Sequence, residues 1–599
     1  MIALLSLAFG QPPLNPQTIT KFDEEWWVWI SEQPPPDWPV YELPPNQSAL
    51  SLLPEATRNH TDRVLYWGEA QLKENTIWWS ELMAPYSVRS NAKFNELLPK
   101  REKSIAKRTA SGRAPFSRTE LVQPNSEPIR QLYLLKSFEV EDPSSFVSLQ
   151  IEAKFQRGLR IFLNGTELVL HDLPDSNHNA YAELQTELPE FQQQDIGATD
   201  RWQKAWMALP TEALRKGSNI ISAQAHRLPD QDNPAIYFDL ELSGYTDFGF
   251  VKAPYLSNPR SNGISVLWEL SADGSGVVEL FNENKELISY FPSYSFNHFH
   301  ELRIDGLQAN TRYHYRVVSD NIEDERVQTE LKSFITPPDD DTPFQFLLYG
   351  DSRANPEIHS KLITLMAKEA EQHDIPFVVH TGDFVTYGYV WGLWQSDFFT
   401  PAAPLLSQVP LLPAIGNHEV RQPIYYHYID APDNESWYHQ RYGSADFIAL
   451  NSHVSVSPSS TQYQWLKAKL EELKSSDRWK ILFFHHPPFS CTPQRKPGYG
   501  PIRNHIVPLL EQYGVDLVLL GHDHLYGRTP NINGTMYLTS GGGGSGLYSG
   551  QTDAQNEVCV EKHHYVKMSV HPDRIFWEAI DSRGELIERY ELPKRRSSP

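Results

Sequence analysis

Apolar and polar positions alternate in different ways along this chain, and each change of period marks a change of architecture. Phe146-Val-Ser-Leu-Gln-Ile-Glu-Ala-Lys154 alternates with a period of two, the pattern of a half-buried strand. Arg160 to Leu170 holds two such runs around Asn164-Gly165, a dipeptide that accepts the left-handed backbone of a tight hairpin. Gly217 to Ala225 and Ala235 to Leu242 read as further strands, so residues 131–244 are expected to form an all-β sandwich. Residues 248–336 form a second β unit, with strands at Gly263–Trp268 and Gly276–Leu280 and a long alternation from His300 to Val317. Upstream, residues 11–62 are rich in Pro and Trp. The four prolines within Glu32–Pro39 exclude helix and central strand there. Residues 63–98 are expected to be partly helical.

Past the Pro-rich linker Pro337–Pro343 the period changes again. Phe344–Tyr349 reads as a buried strand, and Ile358, Leu362, Leu365 and Met366 give residues 355–373 helical periodicity. Strands are expected at Phe377–His380, Leu411–Ile415, Lys480–Phe484 and Val515–Leu520, with helices at Gln462–Ser475 and Ile502–Tyr513. Strands alternating with helices indicate an α/β layered domain, placed here at residues 342–593. The chain is therefore multidomain, with all-β sandwich domains followed by an α/β domain.

Composition narrows the classes. A length of 599 residues suggests about four domains at ~150 residues each. The 53 Lys and Arg against 75 Asp and Glu leave a net charge of −22, which repels nucleic-acid phosphates over any broad face. No nucleic-acid partner is expected. Past the first ten residues no apolar run approaches the ~20 needed to cross a bilayer, so no membrane span is expected. Met1–Gly10, MIALLSLAFG, resembles the end of a secretory signal peptide, with Ala8 and Gly10 at the small-x-small positions, although it has no basic residue. The protein is taken as exported, to a periplasm or outside the cell. Within residues 11–130, the basic stretch from Lys100 to Arg118 reads as an exposed connector, with contact to an anionic surface as the alternative. Two cysteines, Cys491 and Cys559, fit a reducing compartment or a single structural disulfide outside it.

Candidate chemistry gathers just beyond strand ends, where open α/β sheets place their sites. Reading those positions in order gives Gly350-Asp351-Ser-Arg353, Gly382-Asp383, Gly416-Asn417-His418-Glu419, His485-His486-Pro487 and Gly521-His522-Asp523-His524. Asp, Asn and His supply oxygen and nitrogen ligands to divalent metals. Singly, each of these is an ordinary turn; five in succession, each after an expected strand, point to one metal site.

This series resembles the calcineurin-like metallophosphoesterase superfamily over roughly residues 344–590. The β unit directly before it makes the purple acid phosphatase branch the nearest likeness, and Thr461–Leu470 and Gly541–Tyr548 look like that branch's segments. The likeness implies a β-sandwich flanked by helices and a centre of two divalent or trivalent ions of Fe, Mn or Zn. Asp351, Asp383 and His524 would hold one ion, and Asp383 would bridge to a second held by Asn417, His485 and His522. Such a pair activates a bridging hydroxide that attacks a small phosphorylated substrate. His418 matches the residue that protonates the leaving group. His486 matches a position near substrate, with a structural histidine as the alternative. Many relatives have His two residues after the first Asp, where this chain has Arg353, which could face phosphate as a bidentate donor. Purple acid phosphatases place a ligand Tyr where this chain has Thr386, with Tyr387 one residue later, so Tyr–Fe(III) colour is not expected.

Two upstream likenesses are looser. Leu163-Asn-Gly-Thr-Glu, Leu214–Ile221 and Phe238–Leu242 resemble galactose-binding-like jelly rolls, which gives residues 131–244 either a carbohydrate partner or a packing role. Leu307 to Tyr315 resembles the tyrosine-corner region of fibronectin type III domains. The alternative to an enzyme is a surface or carbohydrate-binding protein with a degenerate phosphoesterase domain; the intact motif series argues against it. The glycine run 541–544 reads equally as a flexible loop or as backbone pressed against the site. Its loop and the His485-His486 loop should border the site, which leaves pairing of Cys491 with Cys559 open.

Overall fold

The computed structural model describes residues 237–595 except 389–390 and 420–422. Before that it describes residues 14, 17–20, 25–30, 80–83, 86–90, 119–123, 131–155, 159–171, 203–209 and 213–226. The segments 1–10, 32–39 and 100–118 singled out in the sequence lie outside the described residues. Two compact units divide the chain, residues 15–248 and residues 249–599 with the first 14.

The first unit holds two six-stranded sheets. One orders Gln203–Leu209, Ser148–Phe155, Tyr237–Tyr245, Tyr86–Ser90 and Thr119–Gln123, with Gln17–Thr20 also on Tyr237–Tyr245. The other orders Ser80–Met83, Glu25–Ile30, Gln131–Val140, Gly217–His226, Leu159–Leu163 and Thr166–His171. The hairpin turns at Asn164 and Gly165, both at positive φ (50° and 86°). The Asn164 amide donates to Asn219 Oδ1 at 2.8 Å and accepts from the Ile220 N–H at 2.9 Å, which stitches the turn to the neighbouring strand. Of residues 63–98, expected to be partly helical, Ser80–Met83 and Tyr86–Ser90 are strands, and the others lie outside the described residues. Their partners are Glu25–Val28 and Thr119–Gln123, distant in sequence, so pairing rather than local propensity sets their state.

In the second unit the β strands Phe250–Arg260, Gly263–Phe281, Leu287–Asp305 and Arg312–Asp320 come first. The two strands expected at 263–268 and 276–280 are one 19-residue strand whose register shifts between Glu269 and Gly276. The irregular middle breaks the alternation without breaking the ladder. The Gln308 N–H donates to Tyr313 OH at 3.0 Å, fixing the corner between two strands. This β unit does not end at its own edge. Phe250–Arg260 pairs in parallel with Leu411–Pro413, so its sheet runs on through Val378–His380, Phe344–Tyr349, His564–Val570, Arg574–Asp581 and Leu586–Pro593. A second sheet runs Tyr438–Tyr442, Ala445–Ala449, Trp479–Phe484, Leu517–Leu520, Met536–Ser540, Tyr526–Arg528 and Val558–Val560.

Phe346, Leu348 and Val566 from the first sheet bury against Phe447, Phe483, Leu519 and Leu538 from the second. Helix Pro356–Gln372 and the π turn Trp394–Phe399 bury Leu362, Met366, Trp394 and Phe398 in a second cluster with Leu347 and Tyr349. That is a β-sandwich flanked by helices. The Ile502–Tyr513 helix opens as a π turn, Ile502–Ile506, before its α part, Val507–Gln512.

Polar side chains lock the β unit onto this sandwich. Buried Lys252 pairs with Glu269, donates to Tyr428 OH at 2.9 Å and lies over the Tyr428 ring at 4.1 Å. Arg303 pairs with Asp430 at 2.7 Å, and Tyr255 OH donates to the Tyr428 carbonyl at 2.7 Å. Burial pushes the Lys252 ammonium down, and Glu269 opposes the shift. Removing one partner of a buried pair strands the other charge. Lys252→Met is expected to destabilise the second unit by about 3–5 kcal/mol, and Lys252→Met with Glu269→Leu by much less, as read by thermal unfolding of both variants.

Candidate metal centre

The parallel strands Phe344–Tyr349, Val378–His380 and Leu411–Pro413 end at Asp351, Asp383 and Asn417. Trp479–Phe484 and Leu517–Leu520 end at His485 and at His522 and His524. Sharp turns bring these side chains inward. Asp351, Asp383 and His522 all have left-handed backbone, at φ 58°, 59° and 68°. Non-glycine residues rarely adopt that region, and where they do the surrounding fold enforces it. Gly416 allows the close approach: a Cβ there would lie 2.1 Å from the Asp383 amide nitrogen.

Ligand-type atoms of Asp383, His485 and His522 lie within 4.8 Å of one another, and so do those of Asp351, Asp383 and His524. Asp383 belongs to both groups. Asn417 joins the first, with its Oδ1 3.1 Å from His485 Nε2. His485 Nε2 is also 3.3 Å from Asp383 Oδ1 and 3.1 Å from His522 Nδ1. His524 Nε2 is 3.4 Å from Asp351 Oδ1.

The hydrogen bonds fix the tautomers. His485 Nδ1–H donates to the Thr381 carbonyl at 2.8 Å, and His524 Nδ1–H to the Gly546 carbonyl at 2.6 Å. Each Nε2 is then the ring nitrogen left to face carboxylate oxygen. Asp351 Oδ1 is buried and accepts no hydrogen bond. Ring nitrogens and carboxylate oxygens converging on one another, with an orphaned carboxylate oxygen among them, suit a cation between them, taken up in place of any proton on Nε2. The electrostatics agree. Burial pulls His485 down, but Asp383 and Asp351 outweigh it and hold it up at about 9, so this pocket draws positive charge. Burial and the neighbouring His485 push His522 down to about 2.

The remaining predicted residues ring this centre. The His418 N–H donates to Asp383 Oδ1 at 3.1 Å. His418 Nδ1–H donates to the Thr386 carbonyl, which leaves Nε2 3.7 Å from Asp383 Oδ2. Arg353 Nε donates to the same oxygen at 3.3 Å. His486 is buried, bonded to Ser452 Oγ at 2.8 Å and stacked on Tyr499 at 4.4 Å, with His522 4.2 Å away. Thr386 is committed elsewhere: its hydroxyl donates to Asp397 at 2.7 Å. The glycine run is pressed against the site, for a Cβ at Gly541 would sit 2.3 Å from the Asp523 carbonyl and 3.0 Å from Asp351 Oδ2. Cys491 and Cys559 form a disulfide, with Cα atoms 6.0 Å apart.

Sequence reasoning missed the groups that hold the loops. Buried Glu419 accepts four backbone N–H bonds, from Asp383 at 2.9 Å, Phe384 at 2.9 Å, Val385 at 3.3 Å and Gly416 at 3.1 Å. It ties the Asp383 turn to the Asn417 turn. Asp397, on the π turn, accepts from the Thr386 and Ala354 N–H groups. Neutral His380 accepts from the Gly382 N–H and bonds Ser352 Oγ. In the sequence the signal for Glu419 was an acid two residues after a proposed ligand. Glu419→Gln turns an amide NH2 against backbone donors. It should cost at least ~2 kcal/mol in unfolding free energy and lower bound metal measured on purified protein.

The calcineurin-like phosphoesterase family matches residues 344–526. A purple acid phosphatase of Arabidopsis thaliana, number 23, is 25% identical over 304 residues, covering 42% of this chain and 64% of its own. A soybean (Glycine max) purple acid phosphatase is 25% identical over 296 residues, covering 44% and 62%. The chain thus spans less than two thirds of the length of these relatives. Among solved structures, the purple acid phosphatase from yellow lupin (Lupinus luteus) seeds superposes with a TM-score of 0.51 at 16% identity, over 78% of this chain and 94% of its own. That likeness is one of fold. Residues 344–526 are a calcineurin-like phosphoesterase domain, in a chain whose relatives are purple acid phosphatases.

Proposed function

We propose that residues 342–593 hydrolyse phosphate esters of a small phosphorylated substrate at a two-metal centre. The observation that carries this reading is the pair of Asp/His groups sharing Asp383. Asp351, Asp383 and His524 would hold one ion, and Asp383, Asn417, His485 and His522 the other. When bound, such a pair supplies Lewis-acid stabilisation of phosphoryl oxygens and activation of water.

The chain's own groups do the rest. Arg353, beside the shared carboxylate, offers guanidinium donors to a phosphate. His418 is held by Thr386 so that its Nε2 faces the centre. Burial pulls this imidazole down, opposed by Asp383, so a proton carried on Nε2 is readily given up. A departing alkoxide needs that proton. The Cys491–Cys559 disulfide supports an oxidising compartment and hence export.

Asp383→Ala removes a donor common to both groups. It is expected to abolish turnover and lower metal content together, measured on a panel of phosphate mono- and diesters and by elemental analysis. Retained wild-type turnover would defeat the proposal. His418→Ala is expected to slow alkyl phosphate hydrolysis by about 10²–10⁴-fold and nitrophenyl phosphate hydrolysis much less, because nitrophenolate leaves without a proton. Metal content should not change. Equal losses on both substrates would assign His418 to phosphate binding instead.

A further inference from the structure

The loop from Phe489 to Lys496 follows ligand candidate His485 and belongs to none of the roles above. It closes over the turn that carries His522 and His524. Asp523, between those histidines, is buried, and both its oxygens are held by this loop: Ser490 Oγ–H donates to Oδ2, and Arg495 Nη1 donates to Oδ1 at 3.0 Å. The same Arg495 nitrogen donates to the His522 carbonyl at 2.6 Å. Arg495 Nη2 donates to Tyr548 OH at 3.2 Å, and the guanidinium lies over the Tyr548 ring at 4.6 Å. Tyr548 in turn stacks on His524 at 4.1 Å and donates its N–H to the His524 carbonyl at 3.0 Å. One guanidinium therefore reaches both histidines, the first through its carbonyl and the second through Tyr548.

The loop has its own fastening. Cys491 is bonded to Cys559, which sits opposite Gly527 in the ladder formed just after His524. Gln551 N–H donates to the Cys491 carbonyl at 3.0 Å, and Asn556 donates to the Ser490 carbonyl at 3.2 Å. These bonds join the Arg495 loop to the segment that carries Tyr548.

We propose that Arg495 is a positioning residue for His522 and His524 together, and that the Cys491–Cys559 bridge keeps it in place. Groups that orient metal-binding histidines from behind are worth about 10–100-fold in metal affinity. The inference rests on the two-metal reading of the site.

The test is the dissociation constant of the metal-free full chain for Zn²⁺ alone, measured by competition with a chromogenic chelator well below each variant's unfolding midpoint. A general loss of fold stability would not move this constant in molecules that remain folded. R495Q and the double variant C491A/C559A are each expected to weaken Zn²⁺ by about 10–100-fold. R495K keeps a charge beside Asp523 without the planar fork, and is expected to recover part of the loss. Combining R495Q with C491A/C559A should weaken binding no further than the worse of the two, because both act through one loop. An unchanged constant in R495Q overturns the proposal, and fully additive losses overturn the link between bridge and arginine. If R495Q does not fold, R495K and C491A/C559A decide the matter by the same constants. Wild type that takes up no Zn²⁺ defeats the two-metal reading itself, whereas wild type and R495Q binding equally defeat only the role of Arg495.

Discussion

Asp383 is the constraint around which this domain is built. Its carboxylate is buried, its backbone is left-handed, and its two oxygens are approached by His485, His418 and Arg353. A charge in that position must be satisfied from several directions, or burial would neutralise it. Burial does push Asp383 up, but His485, His418 and Arg353 outweigh it and hold the carboxyl well below the usual range. Each of those partners comes from a different loop. Keeping them within reach of one side chain is a task of backbone rather than of side chains, and Glu419 performs part of it by collecting N–H groups from the Asp383 turn and from Gly416, two residues before His418. A buried carboxylate held by backbone amides then backs another held by side chains.

The small β unit is part of the same mechanical system. Its edge strand continues the sheet that ends in Asp351 and Asp383, through the pairing of Ser257 with Leu411. A module joined only by a flexible linker would leave the Leu411–Pro413 strand at an exposed edge. Here that edge is closed, and the Lys252–Glu269–Tyr428 cluster sets the β unit against helix and loop residues of the phosphoesterase sandwich. Such a cluster is costly to desolvate and useful mainly for fixing one arrangement out of many. The strand that leads to Asn417 is thereby braced on both sides, by Phe250–Arg260 and by Val378–His380.

The sequence made the site legible because its information is local. Four of the six proposed ligands directly follow a glycine just past a strand, so a residue type and a turn could be read together at Gly350-Asp351, Gly382-Asp383, Gly416-Asn417 and Gly521-His522. The supporting groups carry no such mark. Asp397 acts from a π turn on backbone atoms 11 and 43 positions away, and Arg495 acts on a carbonyl 27 positions away. No period or spacing encodes those contacts, since they exist only once the layers have packed. The same limit applies upstream. Tyr86–Ser90 is a strand because Thr119–Gln123 lies beside it, and nothing within residues 63–98 announces that partner. The Gly263–Phe281 strand shows the converse case, in which a local irregularity hid a ladder that continues through it.

Charge placement links these observations to the chemistry. The two candidate groups contain two carboxylates, Asp351 and Asp383, with neutral donors making up the rest. Two divalent cations there would outweigh them by two positive charges, in a chain whose net charge is −22. That excess is what would let a phosphate dianion approach an otherwise repulsive protein. Other carboxylates nearby could cancel it, and the fold disposes of them individually. Burial and the neighbouring Asp383 push Glu419 up to about 8 while its oxygens accept from backbone amides, Asp523 is paired with Arg495 and Ser490, and Asp397 is spent on Thr386 and Ala354. The positive face of the centre is therefore preserved by burial that holds Glu419 up and by partners for Asp523 and Asp397. Arg353, whose Nε donates to Asp383 Oδ2, adds one more fixed positive charge on the same side.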